Sequence, residues 1–292
     1  MTLEALPAQI ATLGTLPIRR ALPRRTRRLV GPWCFLDRYG PLSFTNEKPM
    51  DVAPHPHIGL QTVSWLLEGE IVHNDSLGSE ALIRPGHLSL MTAGSGIAHT
   101  EETPPANSGR LNGVQLWVAL PDAVRNHAPA FNHYTQLPVL EEQGGLVKLI
   151  MGRFSTHSAS TNDHSPLLAA ELTLFPSHPL HLPLDTSFEH ALLILDGEAT
   201  LEGRPLTPDI LYYLGLNRHS IELSSTHGAR CLLIGGTPLQ EPVLLWWNFV
   251  ARTNEELAAA RNDWESHQRF PEVKAYRGPR LAAPSFLPRT IR

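Results

Sequence analysis

His55-Pro56-His57-Ile58-Gly59-Leu60-Gln61 and, further along, Ile97-Ala98-His99-Thr100-Glu101 decide how this chain is read. In each stretch a single residue separates two side chains able to bind metal. Alternate side chains of an extended strand point to the same face, so His55 and His57 project together, as do His99 and Glu101. Two neighbouring strands of this kind bring three imidazoles and one carboxylate onto one cation. Without thiolates, the set suits one borderline divalent metal ion such as Fe(II), Mn, Ni, Cu or Zn. Four protein donors around an ion that accepts six leave positions for water, a chelating substrate or dioxygen. An isolated H-x-H is more often an ordinary surface or core pair. Here Gly59, Gly69, Pro85, Gly86, Gly94 and Gly96 mark tight turns that fold both pairs into one antiparallel unit. Asp51 and Pro54 read as turn-formers beside the first pair.

Proline (26) and glycine (21) are scattered through the 292 residues, and short β-branched or leucine-rich runs lie between them. That is the pattern of an all-β protein with many short strands. Gln61–Leu67 predicts a strand that turns at Glu68-Gly69-Glu70 and returns as Ile71-Val72-His73. Leu88–Met91 and Val114–Val118 predict two more. Parity within this framework nominates Val52, Ile71, His73, Met91 and Trp117 as pocket walls, with His73 a hydrogen-bonded strand residue and not a fifth ligand.

The second half repeats the theme. Ala191–Leu195 runs into Asp196-Gly197-Glu198 as Leu66-Leu67 runs into Glu68-Gly69-Glu70, and Pro208-Asp209 follows as Pro85-Gly86 does. The echo predicts a duplicated β-barrel unit. Aligning the turns places Pro183 and Asp185 where the first half has His55 and His57. The second unit is therefore expected to be metal-free, its His178, His181, His190 and His219 being surface or hydrogen-bonded residues. The small, polar residues 155–166 read as a linker, which sets the expected domains at 1–154 and 167–292. Near the C-terminus Thr253 and Glu256 form a capping-box pattern. Leu257, Ala260, Arg261 and Trp264 follow at helical spacing, so Leu257 and Trp264 should dock a short helix onto a barrel. The tail beyond Phe270 is expected to be irregular and to wrap across a neighbouring unit.

A net charge of −4 argues against a general nucleic-acid surface. The one basic run, Arg19-Arg20 and Arg24-Arg25-Thr26-Arg27-Arg28, reads as a solvated arm with a few ion pairs. Cys34 and Cys231 lie in apolar stretches and read as buried thiols of a reduced compartment; their positions alone leave a disulfide open. No apolar run reaches the length of a membrane span and no signal core is evident, so a cytoplasmic protein without a membrane partner is expected.

With these residues in view, the chain resembles the pirin family of the cupin superfamily. The likeness is carried by His55-Pro56-His57-Ile58-Gly59-Leu60-Gln61-Thr62-Val63, by Leu67-Glu68-Gly69 and Arg84-Pro85-Gly86, and by Met91-Thr92-Ala93-Gly94-Ser95-Gly96-Ile97-Ala98-His99-Thr100-Glu101. Gln115-Leu116-Trp117-Val118, Val30–Asp37 and Glu241-Pro242-Val243 add to it. The resemblance implies two tandem cupin barrels of the double-stranded β-helix, or jelly-roll, type with a short C-terminal helix. It also implies a mononuclear metal, usually iron, in the N-terminal barrel, bound by His55, His57, His99 and Glu101. Two positions depart from the wider pattern. Many cupins carry a ligand glutamate where this chain has Gln61, which then becomes a pocket residue bonding a metal-bound water or substrate. Some pirins carry arginine where this chain has Ile58. Because some pirin-like proteins are quercetin 2,3-dioxygenases, the resemblance implies oxygen-dependent cleavage of a flavonol-like aromatic substrate, with Glu101 also the base for the hydroxyl proton. The alternative it implies is a non-catalytic, iron-dependent regulatory role with a transcription factor or metabolic enzyme as protein partner. A sugar isomerase on the same barrel fits less well, because no basic cluster stands beside the ligands to hold a phosphate.

Overall fold

Short apolar runs broken by glycine and proline cannot build long elements; they build short strands that must pair with distant ones to bury their faces. The computed structural model describes residues 3–286 and 288. Its first repeat contains a sheet ordered Ala130–Tyr134, Leu88–Thr92, Leu60–Gly69, Arg110–Ala119, Trp33–Ser43, Leu16–Leu22 and Gln9–Leu13. A second sheet is ordered Asp51–His57, Ile97–Glu102, Ile71–Asp75 and Glu80–Ile83. The second repeat copies both. One of its sheets runs Glu4–Pro7, Ile210–Gly215, Glu189–Gly197, Ala229–Gly236, Leu167–Leu174, Gly145–Phe154 and Val139–Glu142. The other runs Leu180–Pro183, Ser220–Ser224, Thr200–Leu201 and Arg204–Pro205. The duplication predicted from two turns thus extends over the whole strand order. One position departs from it: Leu88–Thr92 is flanked by Ala130–Tyr134, the strand next in its own repeat, whereas Ile210–Gly215 is flanked by the N-terminal Glu4–Pro7.

The two compact units are discontinuous in sequence. One comprises the residues up to Gln9, Arg19–Phe35 and Gln136–Leu239; the other comprises Ile10–Ile18, Leu36–Thr135 and everything from Gln240 on. The linear division expected at 155–166 does not describe this arrangement. That segment lies inside the second-repeat unit, where His157–Ser158 pairs back onto Arg153 and Phe154. The C-terminal residues, expected with the second domain, belong to the unit of the first repeat, because their apolar side chains are buried there.

The helix Asn254–Glu265 shows how. Thr253 caps it, its hydroxyl accepting from the Glu256 N–H, and Leu257, Ala260 and Trp264 are buried. They pack with Ile58, Ala98, Trp246, Phe249 and Phe270, behind the strands that carry the histidine pairs. The Glu256 carboxylate accepts two hydrogen bonds from Arg125 and one from the Arg252 N–H, which pins the first turn. The irregular tail stays in this unit: Tyr276 donates to Asp51, and the Leu281 N–H donates to Pro54 O.

Three further expectations meet the structure here. The arginine run makes the few ion pairs expected of it. Arg19 pairs with Asp209 at 2.9 Å, Arg27 with Glu4 at 2.8 Å, and the Arg27 guanidinium lies 3.4 Å from the Tyr213 ring centre. Cys34 and Cys231 are buried thiols not joined in a disulfide, and burial pushes the Cys231 thiol up to about 12. His190, expected at the surface or hydrogen-bonded, is fully buried, and burial lowers its imidazole to about 4 against the pull of Asp185 and of the Phe188 backbone. Among the described residues no helix is long and apolar enough to cross a membrane.

Gly59 joins the first histidine strand to its neighbour, and its conformation is one only glycine adopts without strain. Its φ is +69°, and a Cβ there would meet Val250 O at 2.1 Å. Its N–H donates to Gly94 O and its carbonyl accepts from the Leu120 N–H, so the turn cannot shift without breaking two bonds. Gly59→Ala is therefore expected to destabilise the protein by about 2 kcal/mol or more, read from the midpoint of denaturant unfolding.

Candidate metal centre

Register brings the histidines together. Asp51–His57 pairs antiparallel with Ile97–Glu102, His55 standing opposite His99 and His57 opposite Ile97. Ring centres of His55, His57 and His99 lie between 4.3 and 5.0 Å apart, and one nitrogen from each falls within a 4.8 Å cluster. All three side chains are buried.

Hydrogen bonds on the far side of each ring decide which nitrogen faces the cluster. His55 Nδ1 is 3.0 Å from Ala53 O and His57 Nδ1 is 3.0 Å from Asn248 O. A carbonyl only accepts, so both Nδ1 atoms carry the proton and both Nε2 atoms carry a lone pair. His99 is set by a relay. Its Nδ1 lies 3.3 Å from His73 Nδ1, and His73 Nε2 lies 3.3 Å from Asp75 Oδ2. The Asp75 carboxylate accepts from His73, whose other nitrogen then accepts from His99 Nδ1–H, again leaving Nε2 bare. His57 Nε2 and His99 Nε2 are only 3.1 Å apart, so two lone pairs confront each other in a buried space.

Charge pushes the same way. Burial lowers the His55 imidazole from 6.5 to about 4. Burial, followed by the neighbouring histidines, holds His57 and His99 well below the ordinary histidine value. Three neutral, buried rings with converging lone pairs are the donor chemistry a divalent cation needs, and the residues present fit such an ion.

Glu101 is placed differently. A register irregularity falls between His99 and Glu101, and among the described residues the 4.8 Å group is the three histidines alone. The carboxylate, buried, has Ser64 Oγ at 3.1 Å from its Oε1. Ser64 Oγ is also 2.8 Å from Gln115 Oε1, and its single proton serves one acceptor at a time. Burial raises the Glu101 carboxyl, against the pull of His73 and the Ser64 bond. The apolar surroundings responsible include Val52, which stands opposite Glu101. Val52 and Ile71 belong to the cluster of Tyr39, Leu66 and Ile83, so both are core residues beside the carboxylate.

The facing sheet supplies the opposite wall. Trp117, Thr62, Met91 and Phe131 stand in one cross-strand row and therefore share a face. The Trp117 ring meets His57 edge-on at 5.2 Å, and Phe131 stacks on His73 at 4.1 Å with planes 7° apart. Gln61 is the exception among the nominated residues. It sits one place before Thr62, hence on the other face of its strand, and its amide donates to Thr92 Oγ1 at 2.8 Å. Strand alternation takes it away from the row that looks toward the histidines, correcting its assignment to the pocket.

Sequence reasoning missed Ser64, Gln115, Asp75, Phe131 and Asn248. Ser64 and Gln115 were within reach, being two residues from Thr62 and Trp117 on strands already predicted. Asn248 was not, since it reaches His57 across 191 residues.

The family profile "Pirin" matches residues 15–118, and the profile "Pirin C-terminal cupin domain" matches 169–271. A Pseudomonas aeruginosa protein bearing the name "Putative quercetin 2,3-dioxygenase" is 43% identical over 284 residues, spanning 97% of this chain and 90% of its own length. The chain belongs to the pirin family. A pirin-like protein of Caulobacter vibrioides is 36% identical over 269 residues, covering 89% of this chain and 92% of its own. The crystal structure of quercetin 2,3-dioxygenase from Acinetobacter baumannii superposes with a TM-score of 0.94 at 44% identity, covering 99% of this pirin and 97% of that chain.

The depressed histidines give a pH dependence with a definite sign. Below about 6.5 the unfolded chain takes up protons that the folded metal-free protein refuses, so stability falls as pH drops. For His55 the window runs from 6.5 down to about 4, a contribution of about 3 kcal/mol if fully realised. Metal-stripped protein is expected to unfold at clearly lower denaturant at pH 5 than at pH 7, and His55→Asn should flatten that difference.

Proposed function

We propose that this pirin is a metal-dependent dioxygenase that cleaves a flavonol-type ring with dioxygen, at a mononuclear centre held by His55, His57, His99 and Glu101. The observation that carries the reading is the convergence of three neutral Nε2 lone pairs beside a buried carboxylate of raised proton affinity. The names borne by the Pseudomonas and Acinetobacter relatives agree with it. Fe(II) is the metal we favour for this donor set, which Mn, Ni, Cu or Zn would also satisfy, and we place the reaction in the cytoplasm.

A divalent ion so held supplies a Lewis acid that acidifies the flavonol hydroxyl and steadies the enolate beside the neighbouring carbonyl. The chain's own residues do the rest. Glu101 accepts the hydroxyl proton; burial has already raised its affinity for one. Once protonated, Glu101 donates to Ser64 Oγ, and the Ser64 proton turns to Gln115 Oε1, so the proton is held without leaving a buried donor unmet. Trp117, Met91 and Phe131 give an apolar wall for the flat substrate, and Asp75 and His73 keep the His99 ring in register. Dioxygen then adds across the activated ring, which opens with release of carbon monoxide.

The second reading is a regulatory role with a protein partner: in the basic run Arg19 and Arg27 are engaged by Asp209, Glu4 and Tyr213, while Arg25 and Arg28 stay exposed.

Flavonol absorbance should decay under oxygen with purified, metal-loaded protein, and His57→Ala should abolish the decay together with metal retention. Glu101→Gln should slow it by about 10²- to 10⁴-fold, Ser64→Ala by less. No turnover of any flavonol with any reconstituted metal would sink the proposal.

A further inference from the structure

In the second repeat, strand Ser220–Ser224 holds the place that Ile97–Glu102 holds in the first, but it carries no ligand pair. Where that strand begins lies a cavity of about 420 Å³, lined by Arg218, His219 and Ser220 and by the neighbouring hairpin at Leu201, Glu202 and Arg204. A cavity of about 150 Å³ is known to hold one benzene ring, so this one takes a ring with its substituents.

Arg218 decides what kind of ligand that is. It is only 7% exposed, yet it lines the cavity. A guanidinium has five N–H donors to place. Nε donates to Ser220 O at 3.2 Å and Nη2 donates to Glu202 Oε1. Nη1 is open to solvent and meets no acceptor among the described residues.

The residue that holds Arg218 does so at a cost. Leu201 pairs with Arg204 across a two-residue turn, in which Glu202 has φ +50° and Gly203 φ +75°. Such a turn is left-handed at both positions and favours asparagine, aspartate or glycine at the first; glutamate is strained there. The longer carboxylate is what reaches Arg218 and fixes the guanidinium in the cavity wall.

Charge then sets the sign of the occupant. Glu202 balances one guanidinium. Arg204 is exposed and meets no carboxylate among the described residues, so the lining keeps one net positive charge. His219 and Ser220 add N–H and O–H donors, while Leu201, which is buried, and Leu3 give an apolar side. A carboxylate matches one net charge and the planar guanidinium edge; a phosphate dianion would be left half neutralised.

We propose that the second barrel binds a small organic monocarboxylate, its charged end between Arg204 and Arg218 and its apolar body on Leu3 and Leu201. The site shares no residue with the candidate metal centre and does not depend on the reaction assigned there.

The test uses the full chain, loaded with Zn(II) to keep it diamagnetic, and ¹⁹F NMR with 4-fluorobenzoate and its neutral analogue 4-fluorobenzamide. The benzoate should bind saturably, about tenfold or more tightly than the amide, as a hydrogen bond to a charged group implies. Arg218→Met should weaken it by about tenfold or more, and Arg204→Gln, at an exposed residue with no partner to lose, by about threefold or more. Arg153→Gln, at an exposed arginine of the same unit outside this cavity, should leave binding unchanged. Absence of saturable binding, equal binding of the amide, or binding that survives either cavity variant would overturn the proposal. Loss of binding in Arg153→Gln would reveal surface charge alone and overturn it equally, as would displacement by inorganic phosphate at lower concentration than by acetate.

Discussion

Strand pairing has a period of two, so a one-residue slip between Asp51–His57 and Ile97–Glu102 would turn every ligand-type side chain to the wrong face. The register of this pair is what the candidate centre rests on, and several unrelated parts of the chain hold it. Gly59 makes the exit turn and bonds to Gly94 and Leu120. Tyr276 and Leu281 tie the tail to Asp51 and Pro54 on the same strand. The helix Asn254–Glu265 and its aromatic neighbours fill the space behind Ile58 and Ala98, so the strands cannot relax backward. Three neutral imidazoles are costly to bring together out of water. The architecture offsets that by giving each ring a fixed acceptor on its outer nitrogen: a carbonyl for His55 and His57, and the His73–Asp75 relay for His99.

The same construction explains the unequal treatment of Glu101. It lies beyond the register irregularity, next to Val52 and near Tyr39, where burial favours its protonated form. A carboxylate so placed is poised between holding a cation and holding a proton. The Ser64–Gln115 pair accommodates both states, because a serine hydroxyl can donate to the carboxylate or accept from the acid while keeping one bond made.

Much of this was legible in the residues. The i, i+2 spacing of both ligand pairs, the turn glycines and the echo of Leu-Glu-Gly-Glu by Leu-Asp-Gly-Glu each report a local rule, and local rules survive folding. The helix after Thr253 was readable for the same reason. What was hidden is long-range. That residues from Gln240 onward join the first repeat, that Asn248 orients His57 and that Glu4–Pro7 pairs with Ile210–Gly215 depend on which apolar faces meet. Spacing carries no signal for that. Gln61 was misplaced because a position in a motif was read without its strand parity.

The borrowed edge strand also bears on how the molecule is made. Glu4 pairs with Tyr213, more than two hundred residues further along, so this strand must wait for that stretch to be made before it can seal the sheet. Until it does, Ile210–Gly215 presents an open ladder to any other nascent chain. A fusion partner joined close to Glu4, or removal of the first few residues, would leave that ladder uncapped. Solubility on expression would then suffer even though no residue of the metal centre had been touched.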